Sequence, residues 1–449
     1  MIGLRPGVIA TAILGLLLLF APHQSLARPA EEVLLRIAGD DISGVSIVPS
    51  IAKRFLEEQG SSSVRSVAAP PGWTMKLRGN RLDGSPVAVL IRATNSSDGF
   101  RLLRNGQADI GLSARPISSD EVRNLSALGN MAGIHASFLL ARAAIVPVIN
   151  HGNPLQTITI DQLRGVYAGR ITDWAQLGGQ SGPIHVLSRE PGSASRMLFD
   201  AVVMGRDRYR RDVRTFRTYV QLQAALRTDT LAIGFSPCCQ VPDAKRIRLM
   251  VGRHELAPPN NYALESGDYP IALGIRLYFS PLPAKHASEI SNFVKEARSV
   301  TTQTDMIFND FFSVAPQLLV PEFGNGVPPA YRLLARSGLR VSTTIHFRAG
   351  STALDADNTE SLYELASYLR FLHVSADKVQ IVAGCDDNRS TAQNDAIARL
   401  LGDVVVAKLQ QLRVNPSHVL SLGATLPLAS DYTSVGRMLN RRVETWITP

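Results

Sequence analysis

"NPLQTITIDQLRGVYAGRITDWAQLGGQSGPIHVLSREPGSASR", residues 153–196, decides how this chain is read. Within it "TIDQLRGVYAG" carries helical periodicity, and "PIHVLS" reads as a strand that turns through "REPGSASR" into the helical "MLFDAVV". Two serines and an arginine therefore crowd the first turn of a helix. A helix N-terminus offers unpaired backbone N–H groups and about half a positive charge, a natural seat for phosphate, sulfate or carboxylate. Ser193 and Ser195 add hydroxyl donors there and Arg189 a forked cation. A plain serine N-cap, with Arg189 on the surface, is the simpler alternative.

Outward from this turn, short apolar runs alternate with helical patterns. "VLLRIAG" precedes "VPSIAKRFLEEQG", "DGFRLLRNG" precedes "ADIGLS", and "AAIVPVIN" precedes "TIDQLRGVYAG". That order is α/β. In the first helix Ile47, Ile51 and Phe55 recur on one face, Pro49 sits in the opening turn and Gly60 can end it. The region before residue 316 exceeds what one core usually holds, so two lobes with a cleft between them are expected. Asp40 and Asp41 read as a strand-end turn that caps the next helix; near a cleft they would repel an anion.

The stretch "VAPQLLVPEFGNGVPPAYR" breaks every period with Pro316, Pro321, Gly324, Gly326, Pro328 and Pro329, and predicts a linker over 316–340. Beyond it a small βαβαβ domain is expected over 341–449. "STTIHF", "KVQIVAG" and "RRVETWI" supply strands, Leu362, Leu365, Ala366, Leu369 and Leu372 a first helix face, and Ile397, Leu400, Leu401, Val404, Val405 and Leu409 a second. Both helices should lie on one face of a mixed sheet.

At the other end, Arg5, the apolar "VIATAILGLLLLFA" and Ser25-Leu26-Ala27 read as an export signal over 1–27. The chain beyond it is expected in the periplasm. Cys238, Cys239 and Cys385 cannot build a disulfide framework and read as small buried hydrophobes. The formal net charge of +9 suits a polyanionic wall, but an exported chain meets little nucleic acid and none is expected as a partner. In "RDRYRRDVRTFRTY" the residues Arg210, Arg214 and Arg217 fall at helical spacing, interrupted by Asp207 and Asp212, and predict a solvated helix. The histidines show no metal-like spacing, and "RHEL" lacks a zincin's second histidine, so neither metal nor cofactor is expected.

Residues 153–195 resemble the PstS-like type II phosphate-binding proteins, whose pattern runs NP, an L-x-x-L-x-x-I/V-aromatic helix, a tryptophan and R-E-x-G-S-G-T. "NSSDGFRLLRNGQADIGLSARPIS" and "RIAGDDISG" extend the resemblance over about 34–312. It implies a two-lobed α/β binding-protein fold over 28–315. It places oxyanion contacts on Ser96 in the first lobe and on Arg189, Ser193, Ala194 and Ser195 in the second, and Arg115, beside Ala114, is expected to add a cation that favours a fully ionised anion. The family's proton-accepting aspartate is Ala114 here, the glycine between the hydroxyls is Ala194, and the early threonine is Ile42. "GCDDNRSTAQND" with "GRMLNRRVE" resembles the OmpA-like peptidoglycan-binding domain, an α+β fold. That resemblance assigns Asp387 and Asn394 to the wall peptide. The family's helix arginine is replaced by Leu401, or by Gly402 if counted without a gap from Asp387, and Arg399 lies on another side of the helix.

Two functions remain open. One is a periplasmic protein that binds phosphate or a related oxyanion and is tethered noncovalently to peptidoglycan. The other is an envelope adaptor with both sites degenerate, touching other envelope proteins. An enzyme is not expected, because "PGSASR" is neither G-x-S-x-G nor S-x-x-K and no catalytic residue is assigned.

Overall fold

The computed structural model describes residues 30–449 apart from Ile134, 239–243, 252–253, 256–260, 309–310, 323–326 and Asn388. The export segment, Cys239, Gly324 and Gly326 lie outside the described residues.

The first lobe is built on the strand Glu32–Asp40, which pairs in parallel with Pro86–Thr94 and Ile110–Ser113. The apolar run Ser137–Ile149 makes one 13-residue strand that serves both lobes. Ser137 to Ala144 pair with Tyr278 to Ala272 on the first-lobe side, and Ile145 to Ile149 pair with Pro237 to Ile233 in the second. His185–Arg189 and Arg214–Phe216 extend the second lobe in parallel. A strand buried on both faces reads as a continuous hydrophobic run, as "AAIVPVI" does.

Three helices start where parallel strands end: Asp41–Val45 after the first strand, Ser96–Arg104 after Pro86–Thr94, and Ala194–Phe199 after His185–Arg189. In α/β sheets, ligand crevices open at these carboxyl ends. The first strand reaches this edge through Gly39, whose φ of +144° and backbone contact exclude a side chain; a Cβ there would lie 1.9 Å from Leu112 O. The following helix, Ile47–Glu58, buries Ile47, Ile51 and Phe55 as its periodicity predicts, and Gly60 turns the chain away at φ +77°. Phe55 meets Phe293 edge to face at 5.7 Å, and burying such a ring is worth roughly 1.5–3 kcal/mol.

The arginine-rich segment is not the expected helix. Residues 206–213 are irregular and Arg214–Phe216 is an edge strand, with Tyr209, Val213 and Phe216 packed against the second-lobe core. Its charges pair within loops: Arg210 binds both oxygens of Asp212 at 2.6 Å, and Arg170 reaches Asp207 at 2.7 Å.

The C-terminal sheet has the order 318–319, 339–346, 442–447, 379–384, 418–423, with one parallel pair, 379–384 beside 418–423. The helices Ala356–Phe371 and Thr391–Gln411 cover one face as expected. Leu401, Val405 and Leu409 are buried in the second, but Leu400 is exposed, and Ala398 and Gly402 complete the inward stripe instead. The stretch read as a linker is folded. Leu318–Leu319 joins the sheet, and the helix Pro329–Ser337 lays Tyr331 and Leu334 on the opposite face, where Tyr331 meets Trp446 edge to face at 5.2 Å. Helices therefore cover both faces. Sequence periodicity missed this because prolines at a helix start look like linker prolines.

Among the described residues no helix is long and apolar enough to cross a membrane. Cys238 and Cys385 are buried, as expected.

Candidate functional site

A cleft of about 1120 Å³ opens between the lobes at the strand ends. Asp41, Val45, Thr94 and Asn95 line it from the first lobe, and Arg189, Glu190, Ser193, Arg217, Tyr219 and Val220 from the second.

Arg189 is its fixed cation. The side chain is only 5% exposed; Nη2 donates to Arg217 O at 2.7 Å, Nε to Phe216 O at 3.3 Å, and the guanidinium lies 4.1 Å from the centre of the Tyr219 ring. Ser193 caps the helix Ala194–Phe199 by accepting from Arg196 N. Beneath it, the Ser195 and Tyr219 hydroxyls are buried without a properly formed hydrogen bond, although Ser195 lies close enough to act on the Tyr219 phenol. Orphaned buried hydroxyls are costly unless something else engages them.

Across the cleft, Asp41 Oδ2 stands 3.6 Å from Arg189 Nη2. Its neighbour Asp40 does what the sequence predicts, capping the short helix by accepting from Ser43 N at 2.9 Å and Ser43 Oγ at 2.7 Å. Burial, and next the charge of Asp41, push the Asp40 carboxyl up to about 6. A carboxyl raised on folding favours the folded state while protonated, and that contribution fades as pH rises from about 4 through about 6. Asp40→Asn, which keeps the capping oxygen, is expected to be more stable than the parent above pH 6. The gain is on the order of 2 kcal/mol, shrinking to nothing near pH 4, as denaturant melts across pH will read.

Two residues expected at the site stand back from the cleft. Ser96 is buried and its Oγ accepts from Ala114 N at 3.1 Å, bracing the two strand ends. Arg115 is engaged by the protein itself: Glu121 grips it at 2.8 and 2.6 Å, and it also donates to Ser97 Oγ and Pro116 O. Glu121 occupies the third turn position of a capping box started by Ser118, which fixes the carboxylate where Arg115 must meet it. The residues that sequence reasoning missed are Tyr219 and the facing of Asp41 to Arg189. "DD" was visible; its partner, far along the chain, was not.

In the C-terminal domain Asp387 Oδ1 accepts from Asn394 Nδ2 at 3.0 Å, and Asp387 N donates to Asp431 Oδ2 at 2.9 Å. The two assigned residues therefore touch. Asp386, beside them, is buried against Arg441 at 2.5 Å. Leu401 is 1% exposed and packs in the core. Among the described residues no cluster of histidine, cysteine and acid side chains could hold a metal.

Two lobes sharing one continuous strand around a polar cleft make a two-lobed binding-protein fold. The chain belongs to the PBP superfamily, whose domain model matches residues 61–299, and the OmpA family model matches residues 346–441. A binding-protein domain followed by an OmpA-like region, the order expected from sequence, is thus the architecture of the chain. Protein SphX of Synechococcus elongatus is 23% identical over 274 residues, 58% of this chain and 79% of that protein. Among solved structures, an ABC-type phosphate transport receptor from Vibrio cholerae is 21% identical with a TM-score of 0.46, covering 62% of this chain and 99% of its own. A putative phosphate ABC transporter substrate-binding protein from Clostridium perfringens is 18% identical with a TM-score of 0.48, covering 64% and 100%.

Proposed function

We propose that this is an envelope anion-binding protein, with phosphate or a related oxyanion held in the interlobe cleft and the C-terminal domain resting on peptidoglycan. The observation that carries the reading is the pair of buried hydroxyls of Ser195 and Tyr219, close to one another but without a well-formed hydrogen bond, with Tyr219 stacked on Arg189 at the cleft. Arg189, Ser193, Ala194 and Ser195 form the second-lobe side of the site; Ser96 supports the first-lobe side from behind. A wall-held receptor is a poor shuttle, so sensing, storage or presentation of the anion suits it better than uptake, and no catalysis is assigned. The periplasm is the compartment in which both domains have their ligands.

Titration calorimetry of the purified protein with phosphate, sulfate and organic phosphonates tests this. Binding is expected, and Arg189→Ala should weaken it roughly 10- to 150-fold, the worth of about 1.5–3 kcal/mol for a charge-assisted hydrogen bond. The adaptor alternative draws on the Asp41 carboxylate already facing Arg189 and on Glu121 holding Arg115. No heat and no thermal stabilisation with any of these anions would leave the adaptor standing.

A further inference from the structure

We propose that the cleft takes an oxyanion that also bears an ammonium group, such as an amino-substituted phosphonate or phosphate ester, and that Asp41 selects for it. This rests on the anion-binding reading above and names the ligand class of that same site.

The argument is one of charge. An anion bound to Arg189 and to the Ser195 and Tyr219 hydroxyls must approach the Asp41 carboxylate, which lies 3.6 Å from the same guanidinium. Asp41 is 35% exposed, faces the cleft, and has Arg189 as its salt-bridge partner. A second anion on Arg189 strips that partner away and sets two negative charges within a few ångströms, against protein walls that screen them less than bulk water does. Nor does the rest of the cleft supply spare positive charge. Glu190 lies 3.9 Å from Arg217, and Asp98 is held by Arg92 at 3.2 Å and by Arg101. An inorganic oxyanion would meet a lining with three carboxylates, Asp41, Asp98 and Glu190, against two guanidinium groups, Arg189 and Arg217. A ligand carrying its own ammonium meets a complementary one, anion on Arg189 and cation on Asp41.

Size and polarity agree. The cleft, at about 1120 Å³, is slightly larger than typical sites for small organic molecules, roughly 300–1000 Å³, and has room for one. Val45 on one lobe and Val220 on the other line it while 49% and 78% exposed, offering apolar surface to the carbon chain between the two charges.

The test uses the purified chain and a matched pair of probes, 2-aminoethylphosphonate and ethylphosphonate, with inorganic phosphate as a third, titrated by calorimetry at pH 7. The expected result is that the amino compound binds tighter than ethylphosphonate by roughly 10- to 150-fold, the range of one charge-assisted contact. Asp41→Asn, close to isosteric, should erase that preference by weakening the amino compound while strengthening the other two. Asp41→Ser serves as a second variant, and thermal melts confirm that each is folded. Equal affinities of the pair in the parent protein, or a preference that survives both substitutions, overturns the inference and leaves the anion reading intact. Tighter binding of all three probes to the variants also overturns it, marking Asp41 as a latch that any anion displaces. If none of the probes binds, the anion reading itself fails and this inference with it.

Discussion

Asp268→Ala is expected to destabilise the protein by roughly 3–5 kcal/mol, the usual result of removing one partner from a buried ion pair. Arg340 is fully buried, donating to Asp268 at 2.5 and 2.8 Å, to Thr344 Oγ1 at 2.8 Å and to Tyr262 Oη at 3.3 Å. Asp268 and Tyr262 belong to the binding domain; Arg340 opens the first long strand of the C-terminal sheet. Glu444, 3.5 Å from Arg340 Nε, is already shared by Arg442, Tyr331 and Trp446. It cannot turn wholly to an abandoned guanidinium. Calorimetric melting of the variant should show a lower midpoint and two transitions in place of one, because this network joins the two domains. A single transition at the parental temperature would refute that role. Acid supplies a second check. Burial raises the Asp268 carboxyl, but Arg340 overcomes it and holds the group below its ordinary range. A carboxyl lowered on folding stabilises the fold above its unfolded value of about 3.9 and loses that contribution as pH falls further. The gap between parent and variant should therefore close only below about pH 4.

What the sequence disclosed, it disclosed through local rules. The turn "REPGSASR" leads from strand to helix with Ser193 at the cap, and "IVPSIAKRFLEE" buries the face its period marks, because capping and amphipathicity act within a few residues. The misreadings have the opposite origin. Arg115, expected at the site because it flanks Ala114, is paired with Glu121 six residues on, a partner that no rule of spacing singled out. The arginine-rich segment has helical spacing, but Tyr209 and Phe216 are held inward by the second-lobe core and Arg210 N bonds Tyr167 O, so tertiary contacts override a weak propensity. Arg340 stood at the end of a stretch read as linker. Nothing near it in sequence announces Asp268, and its burial is legible only once the two domains are packed together.

Leu401→Arg carries the other large effect, and its sign is set by packing. Resemblance puts the wall-binding arginine of related domains at Leu401, so restoring it looks like a gain of affinity. Leu401, however, is 1% exposed and packs with Leu362, Leu365 and Val405 between helix and sheet. The ungapped alternative is no roomier: at Gly402 even a Cβ would lie 2.6 Å from Val419 Cγ1. Replacing a buried leucine forfeits about 2–5 kcal/mol, and a guanidinium there has no carboxylate to meet, adding the cost of a buried unpaired charge. The substitution should therefore unfold the C-terminal domain, seen as loss of part of the helical circular dichroism and of the unfolding enthalpy, and abolish any co-sedimentation with peptidoglycan. Asp387→Ala provides the contrast. Asp387 is exposed, and its side chain accepts a hydrogen bond from Asn394, so the variant should stay folded while losing wall binding if that carboxylate takes the wall ammonium. A folded Leu401→Arg protein that sediments with the wall better than the parent would show that the helix can turn this residue outward, and would return the missing half of the clamp to the position resemblance assigns it.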